Sequence, residues 1–312
     1  MILFIQRYKP FLGEDIPMFQ KYQDNPIFGN PKLGTLFDVY LTALTDGRLR
    51  MDLSTRKDNS LSVSFSENGI NWTDPITTLK PDEASGWEDW VNRNCVLKIC
   101  DEYKMWYTGQ AHGNSYIGVA ESRDGQTFHR ISDLPVLCPE TDFEGASVMN
   151  PCVLFENGRY RMWYSAGETY EPNVLCYAES SDGIHWEKSP LNPILKKNPT
   201  KEYEQNRIGG CQVLPHPKLG YILFYIGYRD IRTACICAAY SADGVTNFRR
   251  CKKNPLIAPT AGAWDADSCY KPSALYDKTQ DLWRIWYNGR AGGMEYIGLA
   301  EKHGDFTKDD FE

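Results

Sequence analysis

The 312-residue sequence contains no run of about eighteen apolar residues, so no segment is predicted to cross a membrane as a helix. Near its start, Arg7 and Lys9 follow only a short apolar stretch, which is too brief for a signal peptide. Positive charge is not in excess: the formal net charge is -7, whereas binding to phosphate backbones needs a surplus of Lys and Arg. We therefore expect a cytoplasmic protein that binds neither membranes nor nucleic acid.

Metal-binding motifs are missing as well. The sequence has ten cysteines, yet it contains no Cys-x-x-Cys and no pair of histidines at ligand spacing. Cys95 and Cys152 occupy the same position in successive repeats, which indicates small buried strand residues. Reduced thiols of this kind agree with a cytoplasmic location. We expect no metal and no cofactor.

An aromatic phrase recurs along the chain at nearly constant spacing. Its copies lie at residues 105–109 (MWYTG), 162–166 (MWYSA) and 285–289 (IWYNG), with looser copies at 223–227 (LFYIG) and 50–54 (RMDLS). A phrase of the type Ser-x-Asp-Gly follows the copies, in altered form after the first and the last. Five copies of so long a unit indicate one repeat array rather than independent domains.

Each repeat has the pattern of four short strands. A first strand leads to an Asp- or Gly-containing turn, the aromatic phrase forms the second strand, and the Ser-x-Asp-Gly turn separates the third strand from the fourth. Radial repetition of such units predicts an all-β, five-bladed β-propeller with four antiparallel strands per blade. The chain 1–312 is then a single domain with blades at approximately 25–76, 77–136, 137–194, 195–256 and 257–306.

The last unit has too few residues for its own fourth strand, whereas residues 1–6 (MILFIQ) read as a strand without a unit. We predict that residues 1–6 complete the last blade. The alternative is a terminal strand that lies on blade one.

These phrases resemble those of the five-bladed β-propeller glycoside hydrolases, a superfamily that includes families 43, 32, 68, 117 and 130. The resemblance covers about residues 25–306 and includes an aromatic-acidic pair before the first strand, such as Trp87-Glu88. It implies action on furanosides, xylosides, fructosides or mannosides, and in families 43 and 32 it implies an Asp early in the first strand of blade one as base or nucleophile. Asp38 fills that place. The sequence departs from family 43 at Asn150 and Gly210, where acids are expected, and it lacks the Glu-Asp-Pro-Arg phrase of mannoside phosphorylases.

The repeats supply an internal control for the site, because a residue found in one unit alone is not explained by the fold. In a propeller, first strands start and second strands end at the same end of the axis. Asp38 is the only acid at the start of a first strand, and glycoside hydrolysis needs a second carboxyl group. Glu168, unmatched in other units, is the preferred general acid over Glu144, which belongs to a repeated pair. Asp230 is predicted to orient sugar hydroxyls or to raise the pKa of the acid.

Further residues at this end are predicted to bind the substrate through charge, hydrogen bonds or ring stacking. The polar residues of this set are Arg56, Asp58, Arg93, Gln110, His112, Glu144, Asn150, Arg229, Asp267, Lys271 and Arg290. The stacking candidates are Trp90, Tyr170 and Tyr270.

The sequence therefore predicts a glycosidase that removes terminal sugars, furanosides or xylosides first, from small oligosaccharides. It allows a homo-oligomer without requiring one. Two alternatives remain: a glycoside phosphorylase or transglycosidase of the same fold, and a non-catalytic sugar-binding propeller.

Overall fold

Residues 17–312 are described in a computed structural model, and in this part of the chain the regular structure is almost entirely β. The strands are β1 (Gln20–Lys21), β2 (Leu36–Ala43), β3 (Leu49–Thr55), β4 (Ser60–Ser66), β5 (Ile76–Leu79), β6 (Trp90–Ile99), β7 (Glu102–Ala111), β8 (Asn114–Ser122), β9 (His129–Arg130), β10 (Ser147–Glu156), β11 (Arg159–Gly167), β12 (Val174–Ser180), β13 (Glu187–Lys188), β14 (Leu195–Lys196), β15 (Arg207–His216), β16 (Gly220–Tyr228), β17 (Ala234–Ser241), β18 (Arg249–Arg250), β19 (Ser268–Asp277), β20 (Leu282–Ala291) and β21 (Met294–His303). Short 3-10 helices lie at Glu83–Ser85, Asp142–Glu144, Glu202–Glu204 and Lys308–Asp310. None of the helices described is long and apolar enough to cross a membrane.

The strands form antiparallel sheets of four in the order of the sequence repeats. Unit one is β2–β5, unit two β6–β9, unit three β10–β13, unit four β15–β18, and unit five β19–β21 together with β1. Units two and three are joined into one larger sheet by a single parallel pair, Ser115 with Ser147, and β14 adds to β12 at its edge. The prediction of an all-β fold with four-stranded antiparallel sheets is confirmed.

The first strands of the units form a closed ring. Strand β2 contacts β6, β6 contacts β10, β10 contacts β15, β15 contacts β19, and β19 contacts β2 again. The starts of these strands therefore surround one end of a common axis.

The aromatic phrase and the Ser-x-Asp-Gly turn join neighbouring units. Trp106, Trp163 and Trp286 are fully buried, and each donates its indole N–H to a glycine carbonyl in the turn of the next unit. The bond from Trp286 to Gly69, at 2.8 Å, links unit five to unit one. Gly69 has a φ of +78°, and an added Cβ would lie 2.7 Å from the Trp286 ring. Glycine is thus required there both for the turn and for the close approach of the indole.

Strand β1 takes the place of a fourth strand in unit five. It pairs with β21 in antiparallel register, with Gln20 opposite Glu301 and Lys21 opposite Ala300. The predicted strand at residues 1–6 lies outside the described residues.

A buried ion pair marks the same position in four units and supports this assignment of β1. The acid of each aromatic-acidic pair is buried and receives a hydrogen bond from a basic residue of the unit's outer strand. These pairs are Glu88 with Arg130, Glu144 with Lys188, Glu204 with Arg250 and Asp265 with Lys21. In unit five, Lys21 of β1 therefore forms the buried ion pair that a fourth-strand residue forms in each of the other three units.

We expect Lys21→Met to lower the free energy of unfolding by about 3 kcal/mol, because removing one partner of a buried ion pair leaves the other charge buried without compensation. The Nζ of Lys21 lies 2.5 Å from Asp265 Oδ2, and Asp265 is fully buried. Urea unfolding measures the change. Lys32→Met, at an exposed lysine in the segment before β2, is the control and should change stability by less than about 0.5 kcal/mol. Equal stability of the two variants would show that the pair does not hold β1 in the sheet.

Candidate functional site

A β-bulge lies near the start of the first strand in each unit. The residues at these bulges adopt the left-handed conformation, with φ between 49° and 56°. They are the predicted positions Asp38, Arg93, Asn150, Gly210 and Lys271. Four of the five are not glycine, so the backbone is strained there, and such strain persists only where surrounding contacts hold it.

The contacts that hold the bulges come from the aromatic phrase of the preceding unit. At four of the five bulges, a polar side chain near the end of the phrase accepts a hydrogen bond from the backbone N–H of the bulge residue. The bonds run from Asp38 to Asn288 Oδ1 (3.0 Å), from Arg93 to Ser54 Oγ (3.1 Å), from Asn150 to Thr108 Oγ1 (3.1 Å) and from Gly210 to Ser165 Oγ (2.7 Å). The repeated phrase therefore fixes the residues that differ between units.

A cavity lies at the end of the axis where these bulges are. Its charged lining consists of three carboxylates and three guanidinium groups: Asp38, Glu171, Glu295, Arg56, Arg93 and Arg290. Asn150, Ser268, Tyr228 and Tyr270 add polar groups, and Phe37, Pro172 and Ile226 supply apolar surface. Of the residues predicted from the sequence, the cavity brings together Asp38, Arg56, Arg93, Asn150, Tyr270 and Arg290.

Asp38 has the environment of a reactive carboxylate. Its side chain is 5% exposed, and its Oδ2 lies 3.7 Å from Arg93 Nε, beyond hydrogen-bonding distance. Within residues 17–312, Oδ2 has no hydrogen-bond partner. A buried oxygen without a partner is costly, so a function other than stability explains it best.

Glu295 is the carboxyl group beside Asp38, and the sequence reasoning missed it. Burial raises its pKa, the charge of Asp38 raises it further, and Tyr270, Arg56 and Arg290 lower it, with a net upward shift. Its Oε2 also lacks a hydrogen-bond partner among the described residues. A carboxyl group with a raised pKa keeps its proton to higher pH, as a general acid requires.

A comparison between units at the third strand would have found Glu295. The strand registers place Asn59, Ser115, Asn173, Ala234 and Glu295 at equivalent positions. Glu295 is the only acid among them. The sequence comparison covered first-strand starts and second-strand ends, although third strands start at the same end of the axis.

Glu168 does not lie on the cavity wall. It is exposed in the connection from β11 to β12, and its carbonyl accepts a hydrogen bond from the backbone N–H of Glu171 at 2.9 Å. This turn brings Glu171 and Pro172, rather than Glu168, to the cavity.

Two other predicted acids, Glu144 and Asp230, do not line the cavity and have structural roles. Glu144 is buried and accepts hydrogen bonds from the Tyr164 hydroxyl (2.9 Å) and Lys188 (2.9 Å). Asp230 caps a turn by accepting the backbone N–H groups of residues 232 and 233. Hydrogen bonds to this carboxylate lower its pKa against the opposing effect of partial burial, so Asp230 favours the ionised form.

The remaining predicted residues also serve turns and strand ends. Each lies at the predicted end of the axis but outside the cavity lining. Asp58 accepts hydrogen bonds from the hydroxyls of Thr55 and Ser60, and Gln110 forms hydrogen bonds with Asn92 and Ser115. His112 is exposed in a hairpin turn, and Arg229 lies beside Asp230. Asp267 accepts a hydrogen bond from the N–H of Gly292, and Lys271 is buried at the fifth bulge.

Proteins of known structure share this fold. No protein-family model matches the chain. A thermostable family-43 glycoside hydrolase superposes with a TM-score of 0.71 at 15% identity, covering 88% of this chain and 91% of that structure. A beta-1,2-mannobiose phosphorylase from Listeria innocua superposes with a TM-score of 0.68 at 14% identity, covering 91% of this chain and 96% of that structure. The chain has the fold of these proteins. The predicted resemblance to the propeller glycoside hydrolases is thereby confirmed at the level of the fold.

The chain also has relatives in sequence, among them the following two proteins. An uncharacterized protein of Mycobacterium tuberculosis is 26% identical over 280 residues, which cover 86% of this chain and 88% of that protein. A 1,2-beta-oligomannan phosphorylase of a Thermoanaerobacter species is 26% identical over 177 residues, which cover 56% of this chain and 53% of the phosphorylase.

Proposed function

We propose that the protein is a five-bladed β-propeller glycosidase in which Asp38 and Glu295 are the two catalytic carboxyl groups. The observation that carries this proposal is the pair itself: two buried carboxyl groups in one cavity, each with an oxygen that lacks a partner among the described residues. Glycoside cleavage uses such a pair, one group as acid and one as base or nucleophile.

The two carboxyl groups divide these roles by their surroundings. Glu295, whose pKa is raised by burial and by Asp38, donates its proton to the glycosidic oxygen as the bond to the anomeric carbon breaks. Asp38, beside the positive charge of Arg93, acts as the carboxylate that attacks the anomeric carbon or takes a proton from the attacking water. Glu171 is a weaker candidate for the acid because it is exposed on a loop.

The sequence resemblance makes furanosides and xylosides the first substrates to test, as terminal units of small oligosaccharides. Phosphorolysis of a mannoside is the second candidate. Its support is the matched oligomannan phosphorylase together with Arg56 and Arg290, which line the cavity and form no ion pair with any carboxylate among residues 17–312. Planar guanidinium groups are suited to bind phosphate through two parallel hydrogen bonds.

Turnover of a defined sugar panel tests this proposal and separates its two forms. The panel contains nitrophenyl arabinofuranosides, galactofuranosides and xylosides together with beta-1,2-mannobiose, each incubated with and without inorganic phosphate. A hydrolase releases free sugar at a rate that does not depend on phosphate. A phosphorylase needs phosphate and releases a sugar 1-phosphate, which phosphorus NMR detects. In the second case Arg56→Gln should raise the KM for phosphate about tenfold or more, because a charge-assisted hydrogen bond is lost. Absence of turnover across the panel would contradict the proposal for these sugar classes.

A further inference from the structure

Two aromatic side chains, Trp90 and Tyr170, form a platform beside the cavity. Their ring centroids are 6.0 Å apart at an interplanar angle of 37°, and Trp90 is 40% exposed. The Tyr170 hydroxyl accepts a hydrogen bond from the Gly113 backbone N–H at 2.9 Å, so a loop of unit three is anchored on a hairpin of unit two. The platform is therefore held by contacts between units rather than by one mobile loop.

The platform is continuous with the Asp38 side of the cavity. Arg93 spans the two, with Nη2 at 3.4 Å from the Tyr170 carbonyl and Nε at 3.7 Å from Asp38 Oδ2. The Arg56 guanidinium lies 6.0 Å from the centroid of Trp90 and 4.4 Å from that of Phe37, a cavity residue. Glu171 and Pro172, which follow Tyr170 directly, line the cavity. A ligand that extends out of the cavity past Asp38 thus meets this platform first.

An exposed indole next to guanidinium donors has the chemistry of a sugar subsite. One face of a sugar ring carries C–H groups that stack on an aromatic ring, and its edge carries hydroxyls that accept hydrogen bonds from arginine. Besides Arg56, the platform has a second cation, Arg93, whose Nη2 lies close to the Tyr170 carbonyl.

We propose that Trp90 and Tyr170 bind the second sugar of the substrate, the ring that leaves when the terminal glycoside in the cavity is cleaved. The role as leaving-group subsite rests on the proposed glycosidase function. Binding of the second sugar to the platform does not, because it requires no reaction. The substrate class is therefore a disaccharide or longer oligosaccharide rather than a glycoside of a small alcohol.

Calorimetric titration of an Asp38→Asn parent, which we expect to bind substrate without cleaving it, tests the platform. The probes are beta-1,2-mannobiose, xylobiose and arabinobiose, each compared with the methyl glycoside of its terminal sugar. We expect at least one disaccharide to bind more tightly than its methyl glycoside. Adding Trp90→Ala should weaken that disaccharide about tenfold and leave the methyl glycoside unchanged, since only the second ring loses its stacking surface.

Two further variants control for general effects. Trp90→Phe keeps a ring and should retain affinity within about threefold of the parent. Phe155→Ala removes an equally exposed aromatic, 43% exposed at the far end of β10, and should change neither ligand. The platform proposal is overturned if no disaccharide binds more tightly than its methyl glycoside, or if Trp90→Ala weakens both ligands equally or neither. Tight, Trp90-dependent binding without any cleavage by the wild-type protein would instead overturn the glycosidase function alone.

Discussion

Asp38→Asn is expected to reduce turnover of the cleaved substrate by a factor of about 10⁴ or more while the protein folds normally. The change removes the only carboxylate at a first-strand bulge, and an amide can neither attack the anomeric carbon nor take a proton from water. Initial rates for wild type and variant, on whichever substrate the panel identifies, measure the loss.

The structure indicates that this variant folds, because an asparagine already occupies the equivalent strained position. Asn150 sits at the bulge of unit three with φ of 56°, the same value as Asp38. Asparagine also tolerates the left-handed region better than most residues. Asp58→Asn is the matched control: this acid lies near the same end of the axis but is bound to Thr55 and Ser60, and turnover should change little. If Asp38→Asn kept more than a tenth of the activity, the non-catalytic role of this position would be the better explanation.

The sequence predicted the scaffold well because the scaffold is repeated. Trp106, Trp163 and Trp286 each fill an equivalent space in their unit and donate a hydrogen bond to an equivalent glycine turn. The same packing requirement therefore places the same residue types at several positions along the chain. The same comparison of repeats identified the start of the first strand, and two of the residues there, Asp38 and Arg93, line the cavity.

The prediction failed where the chain stops repeating. Which loop residue lines the cavity depends on the path of one turn. Glu171, three positions after Glu168, lines it, and the next residue, Pro172, packs against Gly209. An added Cβ on Gly209 would lie 2.3 Å from Pro172, so this contact needs glycine. No periodic pattern encodes such a pairing of residues from two units. Glu295, in contrast, was within reach of the repeat comparison, because it is the one acid at an equivalent strand position.

Glu295→Gln is expected to lower kcat by a factor of about 10² to 10⁴ for substrates with a poor leaving group, which need protonation. A glycosyl fluoride, whose leaving group needs less help from an acid, should lose much less. Glu171→Gln is the matched control: it removes the exposed carboxyl group of the same cavity, and its effect should be small for both substrates. If the loss were equal for both substrates in Glu295→Gln, or larger in Glu171→Gln, Glu295 would not be the acid.

The same variant should be more stable than wild type at neutral pH. Because burial and Asp38 raise the pKa of Glu295 in the folded protein, the folded state holds this proton more tightly than the unfolded chain does. The stability from that proton is complete below the ordinary glutamate pKa of about 4.3, and it is lost as pH rises through the raised value. Glutamine carries no charge at any pH and avoids this loss. Thermal unfolding should therefore show a higher Tm for Glu295→Gln at pH 7, with the difference from wild type shrinking toward pH 4. A variant less stable than wild type at pH 7 would mean that the ionised carboxylate is held by favourable contacts, and a proton donor at this position would then be excluded.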